Sequence, residues 1–482
     1  MRLEKLIEEI DITAVHGEPD REIAGVTFDS REVTRDSLFI AVRGLEADGH
    51  QFIPVSVAQG ATAIVCEELP SELRDEITYI VTGNARKAVA LIAACWYGHP
   101  SRELHLVGIT GTNGKTTIAT LLYKVNTGLG YRAGILSTNG IIVGDRKYPA
   151  THTTPDALQI NQWLREMVDS GCQYCFMEVS SHAASQNRID GLRFRGGVFT
   201  NLTQDHMDYH KDFRAYLEAK KYFFDQLDER AFALTNADDR NGRVMIQNSR
   251  AQKYSYGLNR MTDFSGKVLE QHFEGMRLKV AGTEVWARLT GRFNAYNIMA
   301  VYGVSVLLGH QHTEVLEEIS KATSAEGRFE IIKGSEGTIA IVDYAHTEDA
   351  LKNVLETIRE VNSEGREIIT VVGAGGDRDT TKRPKMGAVA IKYSNRVILT
   401  SDNPRSEDPA AIMAEMEKGM PSERTRDVLK ITDREEAIKT ACMLAGAAAV
   451  ILVAGKGHEK YQDIGGERKD FDDSQVIKKY IK

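Results

Sequence analysis

The apolar run LHLVGIT at residues 104–110 opens without a break into GTNGKTT at 111–117, and helical spacing follows from 115 to 127. A strand-length apolar run that turns through glycines into a helix dictates a βα unit. Such units pack into parallel sheets with helices on both faces. The turn also carries chemistry. Small residues let backbone N–H groups approach phosphate oxygens, and the helix start adds the positive end of its dipole. Gly111, Thr112, Asn113, Gly114, Lys115, Thr116 and Thr117 therefore read as a nucleotide-phosphate cradle, with Lys115 reaching the β- and γ-phosphates and the Thr116 hydroxyl holding Mg²⁺. The longer spacing G-x-x-x-x-G-K-[ST] is not met, because Ile109 stands at the first glycine position. Gly128, directly after the helical spacing, is expected to end the helix as a left-handed cap.

At 482 residues the chain is too long for one ordinary domain, and about three are expected. Residues 1–98 mix short helices with strand-like runs, SLFIAV at 37–42 and ATAIVC at 61–66. The segment Tyr97-Gly98-His99-Pro100 reads as a linker, since a residue before proline is pushed out of helical geometry. Residues 99–330 hold the βα unit and two further strand runs, QYCFMEV at 173–179 and GGVFT at 196–200. From 331 to 482 a second alternation begins, with strands TIAIVD, EIITVVG, RVILTSD and AVILVAG at 338–343, 367–373, 396–402 and 449–455. Each ends in Gly or Asp. Ligands of such sheets lie at the carboxyl ends of the strands, so this last block should carry a site of its own.

Composition narrows the function classes. A hydrophobic fraction of 42%, a charged fraction of 27% and a net charge of −8 describe a soluble globular protein. With no basic run, a nucleic-acid partner is not expected. No stretch reaches the roughly 18 apolar residues of a membrane span. The start, MRLEKLIEEID, reads as a charged helix rather than a secretion signal. A cytoplasmic protein with no membrane partner is the expectation. Five cysteines make no framework, and the pair Cys172 and Cys175 lacks the second pair a zinc site needs.

Other strings follow the cradle in order: TTPD (153–156), MEVSSH (177–182), NLTQDHMDYH (201–210), EAKKYFF (218–224), GRFNAYN (291–297), EGRFE (326–330), DYAHTEDA (343–350), GAGGDRD (373–379), DNPRSEDP (402–409) and GKGHE (455–459). Together with the turn at Asp29 this series resembles the Mur ligase family over about residues 26–460. It departs at Glu348, where the family usually has proline, and at Thr380-Thr381. The resemblance implies an α/β protein of three domains: a UDP-substrate-binding N-terminal domain (1–98), a central P-loop parallel-sheet ATPase domain (99–330) and a C-terminal Rossmann-like amino-acid-binding domain (331–482). It implies ATP-dependent amide formation through an acyl phosphate, in cytoplasmic synthesis of peptidoglycan precursors. The strings are most similar to the branch that adds the third stem-peptide residue to UDP-N-acetylmuramoyl-L-alanyl-D-glutamate (UDP-MurNAc-L-Ala-D-Glu).

The residue types are suited to those tasks. Carboxylates are natural ligands of Mg²⁺ and histidines less common ones; the resemblance implies that Glu178, His206 and Thr116 serve two Mg²⁺ sites. It further implies that Lys220 carries a CO₂-derived carbamate and shares in the metal binding, although pattern alone makes Lys220 a solvated helix lysine. Only an unprotonated amine reacts with CO₂, so burial near other cations would favour the modification. Lys221 is expected to stay unmodified. Lys115, Lys220, Glu178 and His206 are thus the expected catalytic group. By the same resemblance, Ser30 contacts the uracil, while Thr153, Thr154, Ser180, Gln186 and Arg188 grip the sugar and dipeptide. Asn294 and Asn297 lie on the adenine side, and Arg328, Asp343 and His346 serve the ribose and phosphates.

For the acceptor, the Asp402-Asn403-Pro404-Arg405 string resembles that of members adding meso-diaminopimelate, with Arg378, Gly455 and Glu459 completing the pocket. The chemistry agrees: a buried Arg405 can pair in fork geometry with a second carboxylate, which lysine lacks. Action as a monomer is expected. Two rivals remain open. A folate-polyglutamate-type ligase would share the cradle but lack the Asp29-Ser30-Arg31 turn and DNPR. A phosphotransferase or ATP-driven binding module would have no use for an amino-acid pocket in a third domain.

Overall fold

The computed structural model describes every residue except 45, 46, 151, 206, 208, 447 and 482. Among the described residues the strands form sheets of five, eleven and six strands, in that order along the chain, and one two-stranded hairpin. The first sheet is parallel apart from its edge strand Ile12–His16, which runs antiparallel to Thr78–Thr82. Its centre is Ser37–Ile40 and Ala61–Cys66, whose apolar runs are buried on both faces. Between helix Ala85–Trp96 and the next strand, Gly98 and His99 both take positive φ, so the residue before Pro100 is indeed driven out of right-handed helix.

The second sheet explains where the cradle sits. Its parallel centre runs in the spatial order Ala133–Ser137, Tyr174–Glu178, His105–Thr110, Gly196–Phe199, Phe232–Asn236. His105–Thr110 is thus the strand from which chain order departs in both directions, and its carboxyl end is a crevice between diverging loops. Apolar layers cover both faces, with Ile118, Leu122, Ile298 and Val301 on one side and Ile160, Leu164, Phe223 and Phe224 on the other.

Two expectations need correction here. The sheet is not wholly parallel: hairpins at its edges, Gly140–Val143 with Arg146–Tyr148 and Gly275–Val280 with Thr283–Ala287, pair antiparallel. Short turns can connect only antiparallel neighbours. Nor is Gly128 a left-handed cap. It is the last residue of helix Lys115–Gly128, and the left-handed residue is Gly130, with φ 87°. A Cβ at Gly128 would meet the Glu318 carboxylate, the mobile end of a long side chain.

In the third sheet the order is Glu330–Lys333, Ile339–Asp343, Val450–Ala454, Ile368–Val372, Arg396–Leu399, Val428–Lys430, with only the first strand antiparallel. The loops after Asp343, Val372, Leu399 and Ala454 therefore gather at one edge. The hairpin of Tyr461–Ile464 and Glu467–Asp470 folds onto them, with Arg405 N–H donating to Asp463 O at 3.0 Å and Gly465 N–H to Arg405 O at 2.7 Å. All five cysteines are buried and free. Among the described residues no helix is long and apolar enough to cross a membrane.

Candidate active site

The cradle depends on two glycines with positive φ, Gly111 at 145° and Gly114 at 91°. At Gly111 a Cβ would strike the Thr200 hydroxyl. The loop is held from the neighbouring strand. Thr112 N–H donates to Asn201 O and Asn113 N–H to Asn201 Oδ1, both at 2.9 Å, and Thr200 Oγ1 donates to Asn113 O at 2.7 Å. Gly114 is the helix N-cap and brings no side chain to the first N–H groups, which leaves them for an anion. Lys115 folds back over the loop, its Nζ donating to Gly111 O at 3.0 Å and Thr112 O at 2.8 Å. Burial pushes its pKa down, while Glu178 and Asp205 oppose that shift.

Around the cradle lies a cleft of about 460 Å³, lined by Lys115, Thr116, Thr153 and Glu178 from the central sheet, by Arg328 from the segment leading into the third, and by Asp343 and His346 from a strand end of the third. Glu178 ends its strand with 1% exposure. Its Oε1 accepts from Thr138 N–H at 2.9 Å and its Oε2 from Thr138 Oγ1 at 3.3 Å. Arg328 crosses the cleft, donating to Thr116 Oγ1 at 3.1 Å and lying 4.3 Å over the Tyr344 ring. Among the described residues no three His, Cys, Asp or Glu side chains gather around one metal position. Glu178 and Thr116 nevertheless bring hard oxygens to the rim of the loop, donors that fit a Mg²⁺ shared with nucleotide phosphates. His206 lies outside the described residues.

Lys220 is not the solvated lysine its pattern indicates. Its helix, Phe213–Asp225, turns it under the loop, where it is 2% exposed and donates to Gly111 O at 2.8 Å. Burial and then the Lys115 ammonium drive its pKa well below the ordinary lysine value. Lys221 is buried too, but is ion-paired to Asp225 at 2.6 Å.

On the nucleotide side, Asn297 lines the cleft and packs against Gly114, while Asn294 stands behind it. A chain of bonds runs from Asn297 Nδ2 to Asn294 Oδ1 at 3.0 Å and from Asn294 Nδ2 to Thr290 O at 2.8 Å. Asp343 accepts from Phe329 N–H at 2.7 Å and Ala345 N–H at 2.8 Å, and burial raises its pKa to about 6. His346 donates from Nδ1 to Tyr344 O at 2.9 Å, and burial lowers its pKa to about 4, so it is neutral at pH 7.

Next to Glu178, Thr153 Oγ1 lies 3.2 Å from Thr138 Oγ1, and Thr154 Oγ1 donates to Glu178 O at 2.7 Å. Arg188 donates to Thr154 O at 2.7 Å and to Gln186 Oε1 at 2.7 Å, while Ser180 caps the short helix Ser181–Ser185. These five residues form one patch. Ser30 is apart from it, in the turn Ser30–Glu32 of the first sheet, where Asp29 binds Arg31.

The acceptor residues converge as well. Asn403 Nδ2 donates to Glu459 Oε2 at 2.8 Å, Gly455 packs on the Asp402 carboxylate, and Arg405 Nη1 donates to Gly376 O at 2.6 Å. Pro404 O fills the space a side chain at Gly376 would need. Arg405 is half-buried rather than buried, with φ 51°, and Arg378 is exposed on the adjoining loop. Sequence reasoning missed Thr138, which orients Glu178, and Asp349, whose Oδ2 accepts from Asn113 Nδ2 at 3.1 Å and Thr203 Oγ1 at 3.3 Å. It also missed Lys456 beneath Glu459. Asp349 was within reach, since it lies one turn beyond His346 in a string already singled out.

A phosphate cradle on one sheet and a mixed-charge cluster on the strand ends of another are the two halves of an enzyme that spends a nucleotide phosphate on joining two molecules. The comparisons give the same class. The Mur ligase family catalytic domain matches residues 22–97, the Mur ligase middle domain 109–305 and the Mur ligase glutamate ligase domain 327–457. The chain belongs to the Mur ligase family. UDP-N-acetylmuramoyl-L-alanyl-D-glutamate--2,6-diaminopimelate ligase of Cytophaga hutchinsonii is 52% identical over 482 residues, covering 100% of this chain and 99% of the relative. The enzyme of the same name from Geobacillus kaustophilus is 39% identical over 492 residues, with 100% and 99% covered. A solved structure of a ligase of that name superposes with a TM-score of 0.71 at 31% identity, covering 100% of this chain and 98% of that one. A Mycobacterium tuberculosis folylpolyglutamate synthase shares the fold, with a TM-score of 0.61 at 17% identity, but covers only 77% of this chain.

Proposed function

We infer that this chain is an ATP-dependent ligase that joins diaminopimelate to UDP-MurNAc-L-Ala-D-Glu. The observation that carries the inference is the cluster of Asn403, Arg405 and Glu459 on the third sheet, set at strand ends as the phosphate loop is on the second. A phosphate cradle alone fits many ATPases. An adjoining domain with a paired cation and carboxylate fits an amino-acid acceptor.

The chemistry follows from what must be activated. A carboxylate oxygen is a poor leaving group. The carboxylate of the UDP-linked dipeptide attacks the γ-phosphorus of ATP, the bond to the β-phosphate oxygen breaks, and ADP leaves. The amine of diaminopimelate then attacks the acyl phosphate carbon and expels inorganic phosphate, losing a proton as the amide forms. Phosphoryl transfer is mostly positioning and charge neutralisation. Lys115 is placed to exchange its two loop carbonyls for phosphate oxygens, with Arg328 neutralising charge from the far wall. Thr116, Glu178 and His206 would hold Mg²⁺, which neutralises the transferring phosphoryl group when bound.

Lys220 is the candidate for carbamylation. Its depressed pKa favours the neutral amine that attacks CO₂, whereas Lys221 is held in an ion pair with Asp225. Thr153, Thr154, Ser180, Gln186 and Arg188 would hold the dipeptide end of the substrate and Ser30 its uracil. Asn297, backed by Asn294, would face the adenine, and Asp343 and His346 the ribose and phosphates. Among diaminopimelate isomers the meso form is proposed, with Arg405 and Arg378 meeting its distal carboxylate and Glu459 its ammonium. The work is assigned to the cytoplasm, where nucleotide-linked precursors and ATP coexist, and to a monomer. Domain boundaries are proposed at 98/99 and 330/331; Glu330, next to the second, pairs with Val342 of the third sheet.

The reading is tested by phosphate release from ATP in the presence of each substrate alone and both together. Release that requires both, with a product heavier by one diaminopimelate residue, supports ligation. Release without an acceptor amino acid contradicts it.

A further inference from the structure

Lys456 is fully buried in the loop after strand Val450–Ala454. A buried ammonium is costly unless it is paired and hydrogen-bonded. Its Nζ donates to Asn403 Oδ1 at 2.9 Å and to Glu459 Oε2 at 3.0 Å, and it lies 5.3 Å from the centre of the Tyr461 ring. Asn403 closes the triangle, because its Nδ2 donates to the same Glu459 Oε2 at 2.8 Å. Asn403 Oδ1 also accepts from Asp463 N–H at 3.0 Å. With two donors facing that oxygen and a carboxylate facing the nitrogen, only one orientation of the Asn403 amide satisfies the site.

The consequence concerns Glu459. Its Oε2 is occupied twice, while Oε1 has no hydrogen-bond donor among the described residues, and the side chain is 18% exposed. One oxygen is fixed, and the other is left for a ligand donor. The formal charges also balance: Lys456, Arg405 and Arg378 contribute +3, and Asp402, Glu459 and Asp463 −3, so the six groups sum to zero. Diaminopimelate, with two ammonium and two carboxylate groups, is neutral, whereas lysine carries a net positive charge.

We propose that Lys456 is a positioning residue for the acceptor amino acid: it aims Glu459 Oε1 at the acceptor ammonium and supplies the charge that keeps the pocket neutral, so that a net-cationic acceptor is disfavoured. The proposal rests on the acceptor reading above. The loss of Lys456 would leave a pocket of net charge −1, in which lysine is better tolerated.

The test measures KM and kcat for meso-diaminopimelate and L-lysine, with KM for ATP as control, in Lys456→Met, Lys456→Arg, Glu459→Gln and the double variant. Lys456→Met is expected to raise KM for meso-diaminopimelate about tenfold, the scale of disturbing a hydrogen-bonded buried charge. It should leave KM for ATP unchanged and shift the kcat/KM ratio towards lysine, and Lys456→Arg should recover most of the loss. Because Lys456 acts through Glu459, the double variant should bind meso-diaminopimelate no worse than Glu459→Gln alone. If Lys456→Met does not fold, the double variant, which strands no charge, must still favour lysine more than Glu459→Gln does. An unmoved acceptor KM, an equal rise in every KM, or additive losses in the double variant would overturn the proposal. If Glu459→Gln raises the acceptor KM and Lys456→Met does not, only the role of Lys456 falls. If Glu459→Gln has no effect either, the acceptor pocket falls with it.

Discussion

Two side chains in the cleft make opposite kinds of prediction. Lys115 is held by two carbonyls of its own loop, so Lys115→Ala should fold and yet lose turnover. Removing such a charge stabiliser costs about 3 kcal/mol in the barrier, roughly two orders of magnitude in kcat. A steady-state assay showing near-normal kcat would exclude it from phosphoryl transfer. Asp343 concerns stability. Its carboxyl ionises near 3.8 in the unfolded chain and at about 6 in the fold. Raising the pH through that window ionises the unfolded chain first, so the group's contribution is present at low pH and lost towards pH 6. Asp343→Asn does not titrate. Its Tm relative to the parent, without nucleotide, should therefore be higher at pH 7.5 than at pH 5; the same difference at both pH values would show that Asp343 does not ionise late. The type of each residue was legible in the sequence, but its setting was not. Lys220 reads as a surface lysine, since no local pattern records that its helix packs beneath the phosphate loop.

At the scale of elements, strands and the cradle helix fell close to the runs that announce them, because unbroken apolar stretches and glycine turns are local signals. Glu348 shows how a departure from the family string can be neutral. It is the first residue of helix Glu348–Val361, a position that accepts proline and also favours a carboxylate beside the helix dipole. Gly128 shows the opposite: a glycine at the end of a helical run leaves the left-handed turn to Gly130, two residues on. Helix Phe213–Asp225 offers a test within one element. Lys220→Ala should be nearly inactive and partly rescued by formate or acetate, which can stand in for a missing carboxylate. Lys221→Ala, which loses a buried lysine paired with Asp225, should keep most of its turnover. Equal effects at the two lysines would remove the carbamate from the mechanism, and mass spectrometry of the intact protein provides a second readout.

For the whole molecule, the order of motifs along the chain gave the three α/β domains, while the contacts between them were not legible. Asp349 reaching Asn113 joins two domains across more than two hundred positions of sequence. The antiparallel edges of the central sheet were equally silent, because hairpin strands at an edge read like any other short run. The account as a whole rests on acceptor choice, since that is where a ligase of this branch differs from any other enzyme with the same cradle. A charged group left without its partner costs about 2–5 kcal/mol, or roughly 30- to several-thousand-fold in kcat/KM, and a half-buried Arg405 belongs at the lower end. The most direct measurement is therefore kcat/KM for meso-diaminopimelate and L-lysine, with ATP and UDP-MurNAc-L-Ala-D-Glu, in the parent and in Arg405→Ala. The account predicts strong preference for meso-diaminopimelate in the parent and collapse of that preference in the variant. Equal use of the two amino acids by the parent, or an unchanged ratio in Arg405→Ala, would contradict it.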